Sequence, residues 1–245
     1  MSRIVYGIHP VEELLARRGG EVAALFVVRK PTPGRGPQLQ PLVARAEARR
    51  VAVSAIGARE LDTLCDGGNH QGVAAMVGEY PYLDLEQLIE RLPERPLLVA
   101  ADSLMDPQNL GSIIRSATVL GAHGLVLPKD RSVQISSTVV RVSAGASEHL
   151  PCAQVTNLAR SLSRLREAGL WVAGAVEQGG VHPADAGLDG PLVLVVGNEQ
   201  KGIRPLVLRQ CDIRLTVPSA SSIASLNVAA ATALVLYEAA RQRRG

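Results

Sequence analysis

The sequence predicts an α/β protein in which a mostly parallel sheet, covered by helices on both faces, follows a small α/β unit. From Leu97 onward, short apolar runs that suit buried strands alternate with segments of helical periodicity. That alternation is typical of parallel sheets with helices on both sides. Hydrophobic residues make up 47% of the 245 residues, which is ample for a large core.

Residues 1–77 form the predicted N-terminal unit, in which helices and strands alternate. The stretch KPTPGRGPQ from Lys30 is rich in Pro and Gly and basic, so it is expected to be an irregular, mobile loop. The predicted elements are a helix near Pro10 to Arg18, a strand at Ala23 to Val28, a helix at Leu39 to Arg50, a strand at Val51 to Ile56 and a strand at Gly72 to Val77.

Residues 78–96 are predicted to be a junction, because a short amphipathic helix bracketed by prolines interrupts the pattern there. The second domain then spans residues 97–245. Its predicted strands are the runs beginning at Leu97, Gly124, Trp171, Leu192 and Ile213. Four helices are predicted: one that begins at Asn109, one at Leu158 to Ala168, one near Ile203 to Arg209, and one from about Leu226 to Arg241. The region from Ser136 also belongs to this alternating pattern.

Composition narrows the range of functions. The net charge of +3 is compatible with an RNA partner but also with many other proteins. Aromatic residues are only 2% of the chain, which disfavours RNA binding by rows of stacked aromatic rings. The start MSRIVYGIHP lacks the apolar core of a signal peptide, and no apolar run is long enough for a membrane span. The three cysteines show no metal-ligand spacing. We therefore expect a cytoplasmic protein with no membrane contact and no metal.

The first of three chemically informative segments opens the helix after the Leu97 strand. Asp106 suits the N-cap position and Pro107 the first helical turn, while Asn109 and Arg115 lie off the apolar stripe of the helix. Asp102 and Asp106 are interpreted as turn and cap residues rather than as a carboxylate pair for acid and base catalysis. Taken alone, Arg115 is more typical of a surface or salt-bridged arginine.

The second segment is a buried strand that leads into a polar turn between Gly197 and Gly202. Two glycines around such a turn can expose backbone amides to a ligand, but their spacing matches neither the dinucleotide fingerprint nor the Walker A motif. Glu199 is either an orienting carboxylate or a cap or ion-pair partner of the next helix.

The third segment ends a predicted strand at Val217 and Pro218, passes through a serine-rich loop and enters a long Ala-rich helix at about Leu226. Ser225 and Asn227 stand where the first amides of a helix need acceptors. Helix capping alone therefore accounts for these two residues.

Taken together, the three segments resemble the three motifs of the SpoU branch of the SPOUT superfamily, the RNA ribose 2'-O-methyltransferases. The matching patterns are D-P-x-N-x-G-x-x-x-R from Asp106, G-N-E-x-x-G from Gly197 and S-L-N-V from Ser225. The likeness extends over the whole chain: YGIHPVEELL, HQGVAAMV, LPKDRS and VTNLARSL resemble the bacterial enzymes that methylate a guanosine in the peptidyl-transferase P loop of 23S rRNA.

The resemblance implies a C-terminal domain with a deep trefoil knot, S-adenosylmethionine as the cofactor, and a homodimer whose active site is completed across the subunit interface. It also implies an N-terminal L30e-like domain that binds RNA. The implied cofactor pocket contains Gly197, Asn198, Val217, Pro218 and Leu226. The implied catalytic surface contains Asn109, Arg115, Glu199, Ser225 and Asn227.

The implied reaction is the attack of a ribose 2'-hydroxyl on the methyl group of the cofactor. Arg115 would be either the base or an electrostatic stabiliser. A guanidinium with a pKa above about 12 accepts protons poorly, which favours stabilisation of the developing alkoxide.

Three other functions are open at this point. They are methylation of another rRNA or tRNA site, a noncatalytic role in RNA binding or ribosome assembly, and, more remotely, nicotinamide-dependent oxidoreduction. The retained motifs argue against a noncatalytic role, and the missing dinucleotide fingerprint argues against an oxidoreductase. For a P-loop guanosine, which lies inside the ribosome, an assembly precursor is the expected substrate.

Overall fold

The computed structural model describes residues 2–218 and 226–244, and these residues form two compact units. The first unit consists of the chain up to Tyr80 together with Ile135–His149, and the second of Pro81–Gln134 with the chain from Leu150 onward. Residues 135–149, which the sequence analysis put in the second domain, have most of their contacts with the first unit, and the domain boundaries stay a prediction.

The strands and helices of both units, numbered in chain order, are as follows. The strands are β1 (Arg3–Tyr6), β2 (Val22–Val28), β3 (Ala52–Ile56), β4 (Val73–Val77), β5 (Leu97–Ala101), β6 (Gly124–Pro128), β7 (Cys152–Val155), β8 (Trp171–Ala175), β9 (Leu192–Val196) and β10 (Ile213–Leu215). The helices are α1 (Ile8–Arg18), α2 (Gly36–Ala48), α3 (Ala58–Leu64), α4 (Leu85–Ile89), α5 (Pro107–Val119), α6 (Ser137–Val142), α7 (Leu158–Glu167), α8 (Pro205–Leu208) and α9 (Val228–Gln242).

The first unit is a four-stranded mixed sheet in the order β1-β4-β2-β3, in which only β2 and β3 are parallel. Strand β1 and helix α3 were not predicted. Helix α3 buries Leu61 against Tyr6 and Ala74 of the sheet. Helix α2 begins at Gly36, inside the stretch that was expected to be irregular, because Pro37 in its first turn has no intrahelical hydrogen bond to lose.

Ion pairs and apolar contacts fix residues 135–149 in the first unit. Helix α6 buries Val139 and Val140. The side chain of Glu148 is fully buried and lies 2.9 Å from Nη2 of Arg3 and 3.2 Å from Nη1 of Arg18. Because these partners are 130 and 145 positions away in the sequence, no local pattern indicated the pairing.

The second unit contains a six-stranded, fully parallel sheet in the order β10-β8-β9-β5-β6-β7. This confirms the predicted α/β class. All residues of the neighbouring strands β5, β6 and β9 are buried. Helix α4, in the predicted junction, belongs to this unit because Leu88 packs in the core cluster with Leu98 and Val126.

Two boundaries near the third motif differ from the sequence prediction. Strand β10 ends at Leu215, so Val217 and Pro218 follow the strand instead of ending it. Helix α9 begins at Val228, with Asn227 as its N-cap. Ser225 lies outside the described residues. The trefoil knot also stays a prediction.

Within the described ranges, no helix is both long enough and apolar enough to cross a membrane.

Candidate active site

The first two motifs meet because they follow neighbouring strands. Strands β5 and β9 are parallel and in register, with Ala101 beside Val196, so the loops after them emerge at the same edge of the sheet. The loop after β5 leads into α5, and the loop after β9 contains Gly197 and Glu199. The carboxyl edge of a parallel sheet is the usual place for a ligand site.

Glu199 connects its own loop to the start of α5. Its Oε1 accepts hydrogen bonds from the backbone amide of Asp106 (3.2 Å) and from Nδ2 of Asn109 (3.1 Å). Its Oε2 accepts from the amide of Met105 (3.4 Å) and from Nδ2 of Asn198 (3.3 Å). Helix α8 has Arg204 at its N-cap. Glu199 is therefore an orienting carboxylate and not a cap of the following helix.

Hydrogen bonding keeps Glu199 acidic. Partial burial acts to raise the pKa of its carboxyl group, but the bonds from the Asn109 side chain and from backbone amides together hold that pKa below its ordinary value. Glu199 is therefore an acceptor at neutral pH.

Asn109 links Glu199 to the third motif. Its Oδ1 accepts a hydrogen bond from Nδ2 of Asn227 at 2.9 Å, while its own Nδ2 donates to Glu199. Oδ1 of Asn227 caps α9 by accepting from the amide of Ala229 at 2.8 Å. Although Asn109 lies off the predicted apolar stripe, it is only 7% exposed. The chain Glu199–Asn109–Asn227 thus fixes the orientation of both amide groups.

The loop between Gly197 and Gly202 is folded tightly on itself. The backbone amides of Asn198 and Gly202 each donate to the carbonyl of the other residue, at 3.0 and 2.9 Å. Oδ1 of Asn198 also accepts from the amide of Lys201 at 3.1 Å. A Cβ atom on Gly197 would lie 2.2 Å from the carbonyl carbon of Gly202, so this position requires glycine.

Two adjoining cavities open at this edge of the sheet. The first, of about 380 Å³, has apolar walls that include Val196, Leu215 and Val235, and its other side is the whole loop 197–203. The second, of about 660 Å³, is lined by Met105, Asp106, Asn109, Asn198, Glu199, Gln200, Leu226, Asn227 and Val228. The cavities share residues 198–200, Leu226 and Val228, so a ligand in the first lies next to the opening of the second.

The structure brings most of the expected site residues together. Gly197, Asn198, Val217 and Leu226 line the first cavity, whereas Pro218 lines neither. Asn109, Glu199 and Asn227 line the second. Arg115 lies on an exposed face of α5 and lines neither cavity, so a single chain does not place it with the other residues of the catalytic surface.

The cysteine thiols are unsuited to nucleophilic chemistry at neutral pH. Burial raises the pKa of Cys65 and of Cys211 to about 11, and it also raises the pKa of the fully buried Cys152. All three thiols are free.

Models of two protein families match the chain. The one described as the SpoU rRNA methylase family matches residues 96–237, and the one described as RNA 2'-O ribose methyltransferase substrate binding matches residues 4–83. The chain belongs to the SpoU rRNA methylase family.

Relatives match the chain over nearly its full length. Two proteins named 23S rRNA (guanosine-2'-O-)-methyltransferase RlmB illustrate this. The one from Yersinia pestis is 39% identical over 99% of this chain and 98% of its own length. The one from Escherichia coli K12 is 38% identical over 99% of this chain and 100% of its own length.

Solved structures of SpoU-type enzymes have the same fold. AviRb from Streptomyces viridochromogenes, crystallised in complex with the cofactor AdoMet, is 30% identical with a TM-score of 0.81, covering 99% of this chain and 91% of that one. An AdoMet-bound rRNA methyltransferase from Sinorhizobium meliloti is 29% identical with a TM-score of 0.81, covering 98% and 87%.

The structure adds site residues that the family motifs did not indicate. Glu177, just after β8, lines the first cavity, and Met105 lines the second. Asp102 lies in a bend after β5, as expected of a turn residue, and it is also fully buried and paired with Arg204. The sequence signal for both residues is position: Asp102 directly follows an apolar strand, and Glu177 follows another strand by two residues.

Proposed function

We propose that this protein transfers a methyl group from S-adenosylmethionine to the ribose 2'-hydroxyl of a guanosine in 23S rRNA. The observation that carries the proposal is the Glu199–Asn109–Asn227 chain, which joins all three family motifs at the border between the two cavities. Full-length identity of 38–39% to proteins named for this activity supports the choice of substrate.

The first cavity suits the cofactor. Its volume of about 380 Å³ is within the usual range for small-molecule sites, its strand-derived walls are apolar enough for a purine, and the 197–203 loop offers backbone polar groups. Gly197, Asn198, Val217 and Leu226 would hold the cofactor there. When bound, S-adenosylmethionine supplies an electrophilic methyl group.

The second cavity suits the target nucleotide. Its polar lining comes from Asn109, Glu199 and Asn227, whose side chains are already fixed by one another and by the end of α9. Because these polar groups are already fixed, they orient a ribose without the free-energy cost of rearranging side chains. The proton of the 2'-hydroxyl would leave to water or to a phosphate oxygen, with the charge of Arg115 stabilising the alkoxide.

A homodimer completes the proposed site. Helices α5 and α9 pack against each other and expose large apolar side chains: Val119 is 74% exposed, Leu234 47% and Tyr237 60%. Arg115 precedes Val119 by four residues and so shares its face of α5. Burying this face against a second copy would place Arg115 at the interface, where it can reach the partner's cavity.

The first unit is proposed to bind the RNA substrate. The family model for substrate binding covers residues 4–83, close to the N-terminal domain expected from the sequence at residues 1–77. Exposed cations including Arg29, Lys30 and Arg49 are available for phosphate contacts. A ribosome-assembly precursor in the cytoplasm is the proposed form of the substrate.

The proposal is tested by mapping ribose methylation on 23S rRNA from cells with and without the gene, and by methyl transfer from S-adenosylmethionine to unmodified 23S rRNA with purified protein. We expect one guanosine of the P loop to lose its 2'-O-methyl group in the deletion and to regain it in vitro. Loss of a 2'-O-methyl group at another rRNA or tRNA site instead would contradict the proposed substrate. RNA binding without methyl transfer would contradict the enzymatic function.

A further inference from the structure

Asp102 joins both ends of the loop that forms one side of the first cavity. It directly follows β5, and its side chain is fully buried. Where the loop begins, the backbone amide of Asp102 donates to the carbonyl of Val196 at 2.7 Å. Where the loop ends, Oδ2 of Asp102 accepts from the backbone amide of Arg204 at 2.7 Å.

The side chain of Arg204 holds the Asp102 carboxylate in this position. Its Nε and Nη2 lie 2.7 and 2.6 Å from Oδ1 of Asp102, and the hydroxyl of Ser103 donates to the same oxygen at 3.3 Å. A buried carboxylate is costly unless it is paired and hydrogen-bonded. Three of the four groups that contact this carboxylate belong to Arg204, which directly follows the loop. The buried charge is therefore satisfied only while Arg204 keeps this position.

We propose that Asp102 is a positioning residue that, together with Arg204, holds the 197–203 loop in its ligand-binding conformation before the cofactor binds. Every residue of this loop lines the first cavity. A loop that is ordered in advance loses less conformational entropy on binding, which raises affinity. The identity of the ligand, S-adenosylmethionine, rests on the proposed function.

Asp212 provides a matched control in the same unit. Its amide donates to the carbonyl of Val172 at 2.8 Å, its Oδ2 accepts from the amide of Val172 at 2.9 Å, and its Oδ1 lies 3.5 Å from Nη1 of Arg166. The bonding pattern is thus similar to that of Asp102. Val172 is near the start of β8, however, and neither Asp212 nor Arg166 lines either of the two cavities.

The test measures S-adenosylmethionine affinity of the full chain by titration calorimetry. In Asp102→Asn the amide group presents a donor where the carboxylate had accepted one, so we expect affinity to fall about tenfold or more. Arg204→Met keeps the backbone bond and should lower affinity less, by about threefold. Asp212→Asn and Arg166→Met should bind S-adenosylmethionine as the wild type does.

Wild-type affinity in both Asp102→Asn and Arg204→Met would overturn the inference, as would an equal loss in Asp212→Asn. If Asp102→Asn does not fold, the comparison of Arg204→Met with Arg166→Met decides. A wild-type protein that does not bind S-adenosylmethionine would overturn the proposed function instead. In that case the role of Asp102 and Arg204 in holding the loop is tested without ligand, by hydrogen exchange at the Gly202 amide. Exchange should be faster in Arg204→Met than in Arg166→Met, and equal rates would overturn this role.

Discussion

At the scale of single residues, the carboxylate of Glu199 accepts four hydrogen bonds, so its protonation should be visible in stability. Because its pKa is lowered in the folded protein, its contribution to stability is complete above the unfolded value of about 4.3 and is lost as the pH falls through the folded pKa. The free energy of unfolding of the wild type minus that of Glu199→Gln should therefore be constant from neutral pH down to about pH 5 and shrink below it. A difference that does not change with pH would contradict this assignment.

The same variant should lose activity. One carboxylate oxygen of Glu199 accepts from Asp106 and Asn109, and the other accepts from Met105 and Asn198. Because the amide nitrogen of Gln cannot accept a hydrogen bond, one of these two pairs of donors would be left facing another donor. We expect methyl transfer by Glu199→Gln to fall about tenfold or more, measured as incorporation of labelled methyl groups into RNA.

Arg115 should affect chemistry without affecting cofactor binding, because it lines neither cavity within its own chain. Removing a group that stabilises developing negative charge lowers a rate by about 10²–10³-fold, which is the loss expected for Arg115→Ala. Arg115→Lys keeps the charge but not the planar fork and should retain part of the rate. Unchanged turnover in Arg115→Ala would exclude a catalytic role, and weaker S-adenosylmethionine binding would place Arg115 in the cofactor site.

At the scale of elements, Asn227 has two functions that one substitution can separate. Its Oδ1 caps α9, and its Nδ2 donates to Asn109. Asp is as good an N-cap as Asn and suits the positive end of a helix, but it has no donor for Asn109. Asn227→Asp should therefore keep the thermal unfolding midpoint of the wild type but lose methyl transfer. Asn227→Ala should also lose methyl transfer and should in addition have a lower midpoint, because loss of the cap lowers the free energy of unfolding by about 1 kcal/mol. Normal turnover in Asn227→Asp would show that only the cap matters.

Elements with local signals could be predicted from the sequence, and those that depend on distant partners could not. Asp106 does cap α5, accepting from the amide of Gln108 at 2.8 Å, because an N-cap is specified within four residues. Strand β1 has only four residues and is defined by pairing with β4, more than 65 positions away. The burial of Asp102 likewise depends on its pairing with Arg204, 102 positions later, so no local pattern indicated it.

At the scale of the whole molecule, the site of one chain lacks a positive charge that the family motif implies. Asn109, Glu199 and Asn227 meet at one opening, but Arg115 is exposed on α5 and lines neither cavity. Sequence motifs report which residues a family shares and not which chain supplies them. The proposed dimer accounts for an arginine on the face that also exposes Val119, so activity and assembly should be lost together.

Tyr237→Glu tests that link. Tyr237 is 60% exposed on α9, so a charge there is tolerated by a monomer but would be buried without a partner in the proposed interface, at a cost of several kcal/mol. Sedimentation analysis should show a wild-type dimer and a Tyr237→Glu monomer of normal unfolding midpoint that still binds S-adenosylmethionine but no longer methylates RNA. Trp171→Glu, at a residue 54% exposed at the start of β8, is the matched control and should remain dimeric and active. A monomeric wild type, or a fully active Tyr237→Glu monomer, would show that one chain suffices and that Arg115 must reach its own cavity.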